Sequence, residues 1–244
     1  MSGRVTLATA ARVLGQLRRD RRTLALVLVV PPALLVLMKY VFAGQEQTFQ
    51  RIGGPLVGLF PFVSMFLVTS IAMLRERTTG TLERLMSMPL AKLDLLAGYG
   101  IAFALVAVAQ ALVTAAVGFG ALGLDSEGAL WLVVAIAVLN AVLGMSLGLF
   151  ASAFARTEYQ AVQFMPAFIL PQILLAGLLV PRESMAQALE AVSYVLPLTY
   201  AFEALQLAVR GETGGDLAVD LAVVAGCIVL ALGLGATTLR RRTS

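Results

Sequence analysis

Long apolar runs separated by short polar stretches make up most of the chain. Six runs are long enough to cross a bilayer, which takes about 20 mostly apolar residues: 23–42, 53–74, 95–119, 129–154, 161–180 and 217–239. The connections between them are short, so the pattern predicts one helical bundle over 1–244 with no separate soluble domain. Ahead of the first run, Leu7, Ala10, Ala11, Leu14 and Leu17 recur at helical spacing, and Arg12 and Arg19 fall on the opposite face. That spacing predicts an amphipathic helix in the membrane interface over 1–22, with Arg18 and Arg19 near its end. A second short amphipathic stretch lies in 75–92. A third unusual segment, 181–210, is outside the runs yet still apolar, and Pro197 divides it into two short helices.

Composition agrees with the bilayer. Apolar residues make up 59% of the chain and charged residues 13%, against about 25% charged in soluble domains. A soluble globule of this size has too much surface to hide so much apolar area. Basic residues are placed asymmetrically. Arg4, Arg12, Arg18, Arg19, Arg21, Arg22, Arg75, Arg77, Arg84, Lys92, Arg156, Arg240, Arg241 and Arg242 flank one set of span ends, 14 of the 18 Lys and Arg. The positive-inside rule puts that set, and both termini, in the cytoplasm. The basic excess therefore reads as topology, and no nucleic-acid partner is expected. The first run resembles a signal peptide up to Val41-Phe42-Ala43, but its length exceeds the 7–15 apolar residues of a signal sequence, so it is read as a retained span.

The missing chemistry narrows the function. The chain has no His and one Cys, Cys227. This excludes a Ser–His nucleophile, a His-ligated metal and an intrachain disulfide. Gly144-Met145-Ser146-Leu147-Gly148 matches the G-x-S-x-G nucleophile pattern, but no base is available, and the same glycines form a G-x-x-x-G packing motif. Lys39 and Lys92 lie outside any P-loop context, so the chain binds no ATP by itself. Span centres are nearly free of charge, unlike those of ion-driven carriers. Lys39, Asp94 and Asp220 are placed near span ends, where the two carboxylates would stay hydrated. Ser64, Thr69, Ser70, Gln110, Thr114, Asn140, Ser146, Gln163 and Gln172 read as interhelical hydrogen-bonding groups.

The most informative stretch is Arg75-Glu76-Arg77-Thr78-Thr79-Gly80-Thr81-Leu82-Glu83-Arg84-Leu85-Met86-Ser87-Met88-Pro89-Leu90. Gly80 permits a break, Thr81 is a good N-cap, and Glu83 lies in the first turn, where the helix dipole favours an anion. Leu82, Leu85 and Met86 make one apolar face and Pro89 ends the helix. This stretch resembles the cytoplasmic motif E-R-x-x-G-T-x-E-x-L of ABC-2 type transporter permeases. Leu196-Pro197-Leu198-Thr199-Tyr200-Ala201-Phe202-Glu203-Ala204-Leu205 resembles a second segment of that family, which often continues with Arg where this chain has Gln206.

The resemblance implies an all-α integral membrane fold: a six-span ABC-2 bundle like that of type V exporters, in which an N-terminal connecting helix carries Leu7, Arg12, Leu14, Arg18 and Arg19. It implies that 81–88 is a coupling helix seated in an ATPase groove, with Glu76, Arg77, Gly80, Thr81, Leu82, Glu83, Arg84, Leu85 and Met86 forming or orienting that interface. Pro197, Thr199, Tyr200 and Glu203 would belong to an external re-entrant pair, where Glu190 and Glu203 line an exit or face water. The partners implied are two copies of a separate ABC ATPase, which holds ATP and Mg, and a second permease chain, most simply an identical one. This chain would carry no cofactor and no catalytic residue of its own. The implied role is export of a hydrophobic drug or natural product across the inner membrane of a bacterium. Export of a lipid or lipid-linked glycan is the alternative, with ion-coupled secondary transport a further one.

Overall fold

The computed structural model describes residues 3–81 and 92–238, and no strand occurs among them. Helix α1 (Gly3–Arg19) ends in Arg18 and Arg19, whose charge suits a helix C-terminus. Asp20 then caps α2 (Arg21–Val41): its Oδ1 accepts from Thr23 N at 3.1 Å and its Oδ2 from Thr23 Oγ1 at 2.6 Å. Those bonds hold the Asp20 carboxyl below its ordinary pKa. Helix α3 (Glu46–Thr78) has 33 residues, about 50 Å at the usual rise. It exceeds the hydrocarbon thickness, so its last turn, bearing Arg75, Glu76 and Arg77, can stand in the interface. It ends just before Gly80, whose φ of +71° is strained for any residue with a side chain.

Helix α4 (Lys92–Ala115) runs on through a π-turn at Ala116–Ala121, and α5 spans Leu130–Ala151. Then come α6 (Glu158–Phe164), a π-turn at Met165–Ile169 and α7 (Leu170–Leu175). After a 3-10 turn at Arg182–Ser184, α8 (Gln187–Ser193) and α9 (Pro197–Val209) meet at 83°, and α10 covers Gly215–Thr237. Among the described residues, five helical segments are long and apolar enough to cross a membrane: Arg21–Val41, Glu46–Thr78, Asp94–Ala121, Leu130–Ala151 and Gly215–Thr237; the bent pair α8–α9 makes a sixth if it counts as one span.

The expected fifth span, 161–180, is not among those five. It is helical from Glu158 to Leu175 but is broken by the π-turn. Pro166 and Pro171 each withdraw an amide donor, and the wider turn absorbs the mismatch. Gly177, at φ +92°, follows the early end of the helix.

The bundle is built around α3 and α5, which make its largest interface among the described residues. Within a bilayer there is no hydrophobic gain from apolar contact, so close packing and interhelical hydrogen bonds hold helices together. A Cβ at Gly144 would collide with the Phe62 carbonyl, and one at Gly148 with the Phe66 carbonyl and Thr69 Oγ1. The backbones therefore touch there, as the G-x-x-x-G spacing implied. Thr69 Oγ1 donates to Met145 O across the contact at 3.2 Å. Ser146 is fully buried and donates to Leu143 O in its own helix at 2.8 Å, in keeping with a packing role for the motif. Gln110 Nε2 ties α4 to Val27 O of α2 at 2.8 Å, and Asn140 Nδ2 ties α5 to Ala201 O of α9 at 2.9 Å.

Two expectations need correction. Asp94 and Asp220 are 3% and 6% exposed, not hydrated, because α1 packs over the N-terminal half of α4 and α9 packs over that of α10. Helix α1 is rotated relative to its expected face: Thr6, Thr9, Ala10 and Val13 are buried while Leu7 is 64% exposed. Short residues pack against Gly98, where a Cβ would overlap Thr9, and Leu7 and Ala11 are left on the outer side. Lys39, placed near a span end, donates from its Nζ to Glu46 Oε1 at 3.1 Å and to Leu122 O at 2.9 Å.

Candidate functional site

The sequence motif at the end of α3 begins with Glu76 and Arg77, and both turn inward. Arg12 of α1, expected on the outer face, reaches Glu76 instead. Its Nη1 lies 3.3 Å from Glu76 Oε1, and its Nη2 donates to the hydroxyl of Tyr99 on α4. The guanidinium also lies 5.5 Å from the centre of the Tyr99 ring, a distance at which a cation is attracted to an aromatic face. Arg77 Nη2 donates to Thr238 Oγ1, just past the end of α10, at 3.1 Å. The two neighbours thus bind the base of α3 to α1, α4 and the end of α10. One residue earlier, Arg75 forms a two-pronged pair with Glu158 at the start of α6, at 2.7 and 2.9 Å. That pair holds the Glu158 carboxyl below its ordinary pKa.

Beyond this base, Thr79 Oγ1 accompanies Thr81 Oγ1 at 3.1 Å across Gly80. Leu82, Glu83, Arg84, Leu85 and Met86 lie outside the described residues.

A groove of about 990 Å³ rises from this point between α2, α3 and the broken helix α6–α7. Its polar lining gathers at one end, with Asp20, Thr23, Arg75, Glu76 and Thr79. Further along, its walls are Val30, Leu34, Leu59, Phe60, Val63, Leu67 and Ile173, with Ser64 among them. The π-turn contributes Met165. Such a surface can hold an apolar body with a polar end and offers no donor set for a metal; among the described residues no three metal-ligating side chains come together.

The sequence profile of the ABC-2 type transporters matches residues 4–209. The chain belongs to the ABC-2 type transporter family. It is similar to the "Probable multidrug ABC transporter permease YbhS" of Escherichia coli (strain K12), with 28% identity over 178 residues, 72% of this chain and 47% of that protein. It is also similar to the "Probable multidrug ABC transporter permease YbhR" of the same strain, with 29% identity over 145 residues, 59% of this chain and 39% of that protein. A eukaryotic relative is the "ABC transporter G family member 20" of Dictyostelium discoideum, 27% identical over 151 residues, 62% of this chain and 21% of that protein. The matched stretch thus spans less than half of each relative's length. With five apolar helices long enough to span and a sixth candidate, this ABC-2 chain is a multi-pass membrane protein.

At the other end of this ABC-2 bundle, the second motif shapes α8 and α9. Pro197 stands at the first position of α9, where its missing amide costs nothing. Thr199 Oγ1 donates to Ser193 O at 2.8 Å and Tyr200 Oη to Tyr194 O at 2.7 Å, folding α9 back on α8. Helix α9 begins beside Gln172, whose Oε1 accepts from Leu198 N, and passes Asn140 in mid-α5. It ends where Val209 O accepts from Glu127 N and Gly128 N of the α4–α5 loop. Glu203 does not simply face water. It is paired with Arg182, whose guanidinium also lies 5.2 Å from the Tyr194 ring centre. Glu190 accepts from Tyr194 Oη at 3.3 Å.

Sequence reasoning missed Tyr99, Thr238, Arg182 and Glu158 as partners. Tyr99 carried one signal, a hydroxyl in the first turns of an otherwise apolar span. The others are ordinary polar residues at helix ends, and only the fold brings them to the motif.

Proposed function

We propose that the chain is the permease subunit of an ATP-driven exporter that moves hydrophobic drug-like or natural-product molecules outward across a bacterial inner membrane. The observation that carries this reading is the groove, apolar along most of its length and polar at the end where the E-R-x-x-G-T motif stands. The names of the E. coli relatives, multidrug permeases, support the cargo class. Both termini lie in the cytoplasm, as the basic residues indicate. The segment 81–88 is the coupling helix, docked on a separate ABC ATPase present in two copies, and two permease chains complete the complex. Gly80, at φ +71°, breaks α3 ahead of that helix. Helices α8 and α9 form a bent re-entrant pair on the external side, with α9 running from mid-bundle back to the α4–α5 loop. ATP binding closes the ATPase pair and favours one of two arrangements of the bundle, and the ligand's preference for that arrangement drives the change.

The test is reconstitution of the full-length chain with its ATPase in vesicles, followed by ATP-dependent movement of ethidium. Glu83→Ala and Gly80→Pro are expected to abolish stimulation of ATP hydrolysis, since Pro cannot adopt the positive φ at Gly80. Unchanged ATPase stimulation in both variants defeats the coupling assignment. Movement of a phospholipid analogue in place of ethidium replaces the drug reading by the lipid one.

A further inference from the structure

An interfacial helix that serves only as an anchor would turn its arginines to water or to lipid phosphates. Arg12 instead turns into the protein and serves two acceptors at once, Glu76 of α3 and Tyr99 of α4. Tyr99 is 1% exposed, and Arg12 donates to its hydroxyl. Helix α1 has little freedom to slide on α4, because Thr9 sits directly on Gly98. Glu76 stands four residues before Gly80, where α3 gives way to the motif segment. Val13, Gln16 and Leu17 of α1, together with Tyr99 and Glu76, line the polar end of the groove. The same three side chains therefore join the root of the motif segment to the wall of the groove.

We propose that Arg12 is a positioning residue that makes α1 and the cytoplasmic end of α3 move as one body, so that a push delivered after Gly80 displaces the groove wall formed by α1. The proposal rests on the ATP-driven reading above. The chemistry asks for Arg: its planar fork serves a carboxylate and a hydroxyl together, whereas a lysine offers a single point charge. Reversing the pair keeps the tie, because Glu at position 12 can accept from Arg at position 76 and from the Tyr99 hydroxyl.

Two measurements on the full-length chain test it. In vesicles with the ATPase, ethidium moved per ATP hydrolysed should fall about tenfold in Arg12→Ala, in the ordinary range for loss of a coupling interaction. It should fall less in Arg12→Lys and recover in Arg12→Glu/Glu76→Arg. In a Cys227→Ser background, spin labels at Ala11→Cys and Thr78→Cys, both exposed, should give one narrow distance. Arg12→Ala should broaden it and the reversed pair should restore it. An unaltered distance in Arg12→Ala overturns the proposal. So does a broadened distance with ethidium per ATP at the wild-type level, since the tie would then be structural only. If the wild-type complex moves nothing on ATP, the proposed function fails, and the distances alone decide the tie.

Discussion

The two sides of α3 obey opposite packing rules. Toward α5, Gly144 and Gly148 let backbones touch and Thr69 bonds across the contact. Toward α2 and α7, Leu59, Val63 and Leu67 face Val30, Leu34 and Ile173 across a groove of about 990 Å³. In a solvent as apolar as the side chains, bulky residues gain little by closing such a gap, whereas glycine contacts gain dispersion and hydrogen bonds. The difference teaches where the bundle is rigid and where it has room to bind and move.

Substitutions on the two sides should rank accordingly in their effect on stability, read as the midpoint of thermal unfolding in detergent. Gly144→Leu forces a side chain into the Phe62 carbonyl and should cost about 3 kcal/mol or more, leaving little folded protein on size exclusion. A well-folded Gly144→Leu variant would show that the α3–α5 contact is not the rigid side. Asn140→Leu removes the bond to Ala201 O and should cost about 1 kcal/mol, typical of interhelical bonds in membranes. A larger loss would extend the rigid side to α9.

The Arg75–Glu158 pair closes the groove side at its polar end. It is half exposed, so Glu158→Gln should cost less than about 1 kcal/mol. Because pairing lowers the folded pKa of Glu158, its contribution is fully present above the ordinary carboxyl pKa, about 4.3. It is lost as pH falls through the lower folded value. The difference between wild type and Glu158→Gln should vanish on that descent, and a difference that grows instead would contradict the pairing. Smallest of all, Ser64→Phe only fills the groove and should change stability by less than about 0.5 kcal/mol, while ethidium movement drops sharply. Loss of folding in Ser64→Phe would mean that the groove side is packed after all.

Much of this architecture is readable from residue order. Apolar runs mark the spans because a helix must be about 20 residues long to satisfy its backbone across hydrocarbon. Gly144 and Gly148 announce close packing by their spacing, and Gly80 and Pro197 announce breaks by their backbone limits. The face of α1 was not readable. Leu7 looks like core and Arg12 like surface by polarity alone, but Gly98 accepts Thr9 more closely than it could a leucine, which turns Arg12 toward Glu76. The broken fifth span was half readable: the run 161–180 marked an apolar helix, not a π-turn or an end at Leu175.

Solvent preference acts locally, residue by residue, and so composition and order alone settled that this is a multi-pass helical protein and that it holds no histidine-based chemistry. The partners of Glu76, Arg77 and Glu203, the burial of Asp94 and Asp220, and the groove beside α3 were decided only in three dimensions. Each depends on which helices approach and how far, a balance of side-chain shapes from segments distant in the chain that no local pattern encodes.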